Sequence, residues 1–125
     1  MKMRSTGLSS LALVATMWLM PSSVQAAGEN VGDTQRCVHL THIKSSPVIN
    51  DNTILVEMRK RGDYKRIDLT STCSGLEFSG FEVRLHQDRL CTSDTVAVRQ
   101  TAGAFCQIEK IVTIDEAEAK ALRAQ

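Results

Sequence analysis

The chain has 125 residues, a formal net charge of +1 and a charged fraction of 23%. That length fits one domain, and the near-neutral balance excludes a general electrostatic pull toward nucleic acid. Aromatic residues make up 4% of the sequence, too few for the stacking platforms that bind sugars or single-stranded nucleic acid.

Residues 1–26 read as an export signal. Lys2 and Arg4 give a positive start, Leu8 to Met20 an apolar run, and Pro21 ends it. Val24-Gln25-Ala26 places small residues where a signal peptidase cuts, so cleavage is expected between Ala26 and Ala27. The apolar run is 13 residues, whereas a spanning helix takes roughly 20. The first cysteine downstream is Cys37, too far along to carry a lipid anchor. The expected product is not membrane-spanning and lies in the periplasm or outside the cell. Its charge would be 13 Lys and Arg against 14 Asp and Glu, because the signal removes Lys2 and Arg4 and no acid. The signal also removes Trp18 and four of the five methionines. The remaining core must be built from Val, Ile and Leu, and a core of this size is marginal alone.

Residues 27–36 are polar and read as a loose leader, followed by a β domain over 37–125. Short β-type runs occur at Cys37–Ile43, Thr53–Arg59 and Tyr64–Leu69. Ile54, Val56 and Met58 share one face of the second, and Ile67 and Leu69 alternate in the third. Leu76–Phe78 leads into an alternating run from Phe81 to His86, and Thr95–Gln100 and Phe105–Ile114 complete the set. Asn50-Asp51-Asn52, Arg61-Gly62-Asp63, Gln87-Asp88 and Thr101-Ala102-Gly103 supply turns. Asp115 to Ala124 lacks β-branched residues and reads as a short helix, with Thr113 and Glu116 as its capping box. The pattern predicts an all-β fold, a small six-stranded barrel or sandwich with a C-terminal helix.

The cysteines Cys37, Cys73, Cys91 and Cys106 allow three pairings. In a hairpin turning at Ala102, Cys106 faces roughly Val98 and leaves Cys91 about 23 Å out of register. A disulfide needs Cα atoms within ~7 Å, so Cys91–Cys106 is disfavoured. Two pairings remain: Cys37–Cys106 with Cys73–Cys91, or Cys37–Cys91 with Cys73–Cys106. The first is preferred because it closes the first strand against the last. No C-x-x-C spacing occurs, so the expected role is structural rather than redox.

Cys73-Ser74-Gly75-Leu76, Arg89-Leu90-Cys91 with Asp94, Cys106-Gln107-Ile108, and Thr53-Ile54-Leu55-Val56 before a basic hairpin form a recognisable context. It resembles a family of small exported bacterial proteins known only as a domain of unknown function, over roughly Cys37 to Leu122. The resemblance implies an envelope protein of Gram-negative-type bacteria and brings no activity or catalytic residues. Ser93 stands where the family pattern leads one to expect glycine before Asp94.

Three features invite a functional reading. His39 and His42 form H-x-x-H, which on a helix shares a face but on a strand points to opposite faces. They are read as ordinary surface or strand histidines, and no metal site or cofactor is expected. No G-x-S-x-G elbow ties a serine to a base, so the chain is not expected to be an enzyme. Arg59, Lys60, Arg61, Lys65 and Arg66 concentrate positive charge around Asp63 on one hairpin. They are the candidates for docking on an anionic surface; as a plain solvated turn, the same charges would block edge aggregation. Arg61-Gly62-Asp63 also spells an adhesion tripeptide, although a turn favours Gly and Asp in any case. The leading expectation is a non-enzymatic periplasmic or secreted binding or interaction module, its partner an envelope protein or anionic surface. The alternatives are a small inhibitor of an envelope-acting enzyme and, behind it, a metal-binding or hydrolytic protein.

Overall fold

The computed structural model describes residues 30–83 and 87–125. The expected signal peptide, its cleavage point and residues Arg84 to His86 lie outside the described residues. In chain order the elements are β1 (Thr34–Gln35), β2 (Cys37–His39), a 3-10 turn (Leu40–His42), β3 (Ile43–Ser45), β4 (Val48–Asn50), β5 (Thr53–Met58) and β6 (Tyr64–Leu69). There follow α1 (Leu76–Ser79), β7 (Phe81–Val83), β8 (Arg89–Cys91), β9 (Thr95–Val98), β10 (Phe105–Ile114) and α2 (Glu116–Arg123).

The main sheet runs β3-β5-β6-β10-β9-β7, six strands as the alternation predicts, and it curls into a half-barrel. Short β1 and β4 are appended to β10 and β5, and β2 pairs with β8 in a separate ribbon. Period-two alternation sorts the side chains between two faces. Ile54, Val56 and Met58 of β5, Ile67 and Leu69 of β6, and Ile108 and Ile111 of β10 fill the inside of the curl. Leu55, Tyr64, Val112 and Ile114 point the other way and are covered by Ala119 and Leu122 of α2. The second cluster is what gives the C-terminal helix a place to dock. At its start the Asp115 carboxylate accepts from the Glu118 N–H at 2.8 Å, so the cap sits two residues beyond the expected Thr113.

Several expectations are corrected. The first β run breaks at the 3-10 turn into β2 and β3. Within the expected leader, Thr34 and Gln35 pair with Val112 and Ile111. Leu76–Ser79 is a helical turn, not the approach to a strand. It buries Leu76 completely and closes at Gly80, whose φ of 72° suits a residue without Cβ.

The disulfides are Cys37–Cys91 and Cys73–Cys106, the second of the two pairings left open and not the preferred one. The physical reason is β1. It, not the Cys37 strand, lies against β10. That frees β2 to pair with β8, where Cys37 and Cys91 are direct cross-strand partners with Cα atoms 4.0 Å apart. Cys106 lies opposite Val96, two residues from the expected register. It meets Cys73, held in place by its N–H donating to the Asp51 carbonyl at 2.8 Å. The bridges close separations of 54 and 33 residues, each contributing roughly 4 kcal/mol by chain entropy.

Candidate functional site: a basic hairpin and an open seam

The structure divides the five hairpin cations. Arg59, Lys60 and Arg61 are exposed at the turn between β5 and β6, where Gly62 has φ 77°. Lys65 is 1% exposed. It shares the parity of Ile67 and Leu69 and so points into the curl. There its Nζ donates to Thr113 Oγ1 at 2.9 Å and pairs with Asp63 at 3.1 Å. Arg66 points the opposite way, toward α2, and pairs with Asp68 and Glu118. Partial burial acts against its charge, but Asp68 and Glu118 outweigh that and hold its pKa above the ordinary value. Lys65 and Arg66 are therefore structural, which corrects their assignment to an anionic-surface site.

Glu57 gathers the cations beside the turn. It pairs with Lys44 at 3.2 Å and Arg123 at 3.1 Å and accepts from Ser45 Oγ at 3.2 Å. The hydrogen bond from Lys44 is the main reason its carboxyl lies below the ordinary 4.5; burial opposes this, and the Lys44 charge, Ser45 and Arg123 add to it. Arg61-Gly62-Asp63 is a turn whose acid is occupied by Lys65.

The two histidines also differ from expectation. The 3-10 turn brings residues three apart onto one side, and the His39 and His42 rings lie 5.3 Å apart, tilted by 54°. Among the described residues no group of three or more His, Cys, Asp or Glu is placed to hold a metal. His86 lies outside them.

A feature not anticipated is the seam of the half-barrel. β3 and β7 are the two ends of the sheet, and among the described residues neither has a further strand beside it. Between them opens a cleft of about 820 Å³. Ile43, Val48, Phe81 and Val83 form its walls, over Val56 and Ile67, with Glu77, Glu82 and Arg99 at the rim. The floor is closed: Val56 and Ile67 are themselves fully buried, so access is along the walls. No single stretch of sequence marks this site, because its walls come from separate strands joined only by the curl.

Among the described residues no helix is long and apolar enough to cross a membrane. The two disulfides fit an oxidising location. No curated protein and no solved structure matches the chain. A family profile matches residues 2–125, nearly the whole sequence and with it both cysteine pairs, and the chain belongs to that family of unknown function (DUF6491).

Proposed function

We propose that the protein is a non-enzymatic, exported binding module whose site is the seam of the half-barrel. The observation that carries this is the cleft, apolar in its walls and polar at its rim, flanked by strand edges that pair with no further strand among the described residues. Its volume falls in the range of ligand sites. The walls offer contact area, and among the described residues the rim offers Glu77, Glu82 and Arg99. All four cysteines are committed to disulfides. The ligand class that suits a slot with apolar walls and a polar rim, beside an edge unpaired among the described residues, is an extended peptide segment. Its backbone pairs with β7, and its alternate apolar side chains enter the cleft. Export is supported by the signal-like residues 1–26 together with the disulfides.

The test is an amide-resolved NMR titration of the protein with a short peptide of alternating valine and threonine. The expected result is shifts at Val48, Phe81, Val83 and Arg99, lost when the peptide backbone is N-methylated. Shifts confined to Arg59–Arg61, or equal binding of the methylated peptide, would contradict the reading. The inhibitor alternative draws on Phe78, an aromatic side chain 90% exposed on α1, of the kind that anchors protein interfaces.

A further inference from the structure

The turn of the β5–β6 hairpin is a surface separate from the cleft. Three cations follow one another there, all exposed. The acids closest in sequence are engaged elsewhere, Asp63 with Lys65 and Glu57 with Lys44 and Arg123. Lys60 and Arg61 have no ion-pair partner among the described residues. Arg59 is oriented without being neutralised: its Nε donates to the Thr41 carbonyl at 2.8 Å and its N–H to the His42 carbonyl at 2.7 Å. The turn is thereby tied to the 3-10 segment and held rather than left loose.

The opposite end of β5 carries acids of its own. Asp51 Oδ1 accepts from the Glu77 N–H at 2.9 Å, and among the described residues Glu77 and Glu82 stand at the cleft rim with Arg99. The six residues of β5 separate the two ends, a distance of roughly 20 Å.

We propose that this turn docks the protein on an anionic lipid surface. The shape favours a surface over a single bound phosphate. Gly62 has nothing within 4 Å of where a Cβ would be, so the tip of the turn projects, and the concavity beside it, which Arg59 and Arg61 share with Lys44, also holds the Glu57 carboxylate, which repels a bound phosphate. Adjacent cations on a protrusion match a plane of many headgroups, each contributing about fivefold in affinity.

The test is co-sedimentation with vesicles of phosphatidylcholine alone and of equal parts phosphatidylcholine and phosphatidylglycerol, at low and high salt. The wild type should bind only the anionic vesicles and release in high salt. The double variant K60S/R61S should bind about thirtyfold more weakly, while R36S/K110S, which removes the same charge elsewhere, should bind as wild type does. A circular-dichroism melt verifies that both variants fold. Equal binding to both vesicle types, or a greater loss in R36S/K110S than in K60S/R61S, would overturn the proposal. Displacement by inorganic phosphate beyond that by chloride of equal ionic strength would replace the surface with a discrete phosphate site, and would also overturn it.

Discussion

The two ends of the basic hairpin carry the same charge and have opposite fates. Arg61 and Lys65 are four residues apart in one run of cations. Arg61 is exposed at the turn, whereas Lys65 is 1% exposed inside the half-barrel. The difference comes from β6. Once the chain enters the strand, alternation assigns each side chain to a face regardless of its charge, and Lys65 falls on the same side as Ile67 and Leu69. Its ammonium is tolerated because Thr113 and Asp63 meet it there. A run of like charge is thus not a structural unit; the register that cuts through it decides which members hold the fold and which face outward.

The largest break in this comparison comes from Lys65→Ala. It removes a buried stem and its contacts with Thr113 and Asp63, and is expected to cost about 3 kcal/mol, below the ceiling for a buried pair because Asp63 retains access to water. Lys65→Met keeps the stem and gives up the charge, so it should cost less than about 1.5 kcal/mol. Chemical denaturation distinguishes the two; equal, negligible losses would show that Lys65 is not buried. Next comes Arg66→Ala, which unties β6 from Glu118 of α2. Arg66 is 26% exposed, so the loss should be about 1 kcal/mol.

Glu57 sharpens the comparison through pH. Its carboxyl lies below its ordinary value of 4.5 in the folded protein. The stability it contributes is present above that ordinary value and is lost as pH falls through the lowered folded value. The melting temperature of Glu57→Gln should therefore fall less steeply than that of wild type below about pH 4.5. The same variant frees Lys44 and Arg123 beside the turn and should tighten binding to anionic vesicles. Identical acid profiles would remove Glu57 from the account. The smallest effect belongs to the turn itself, where Lys60→Ala and Arg61→Ala should each change stability by no more than about 0.5 kcal/mol.

Much of the fold was legible in the residues. The Tyr64–Leu69 and Phe105–Ile114 strands match their expected limits, and the terminal helix forms where β-branched residues stop. These segments carry strong alternation or none, and both signals survive folding. The parity linking Lys65 to Ile67 is equally present in the sequence, but a run of like charge masks it. The disulfide pairing was not legible. It turns on two residues of β1, a strand too short to announce itself, which takes the place beside β10. The histidine pair needed the 3-10 turn, and the cleft needed the curl of the whole sheet. Ser93 is a sharper case. It stands where glycine was expected and adopts φ 73°, with the Asp94 carboxylate accepting from the Cys91 N–H at 2.7 Å to hold the turn. The turn keeps its shape while serine bears the strain of a left-handed conformation.

The division of the hairpin is tested most directly by labelling the native protein with an amine-reactive acylating reagent and locating the adducts by mass spectrometry. Lys60 and Lys65 lie on one hairpin, so each serves as the other's control. The expected result is rapid modification of Lys60 and protection of Lys65 until the protein is unfolded. Modification of Lys65 in the native state at the rate of Lys60 would contradict it.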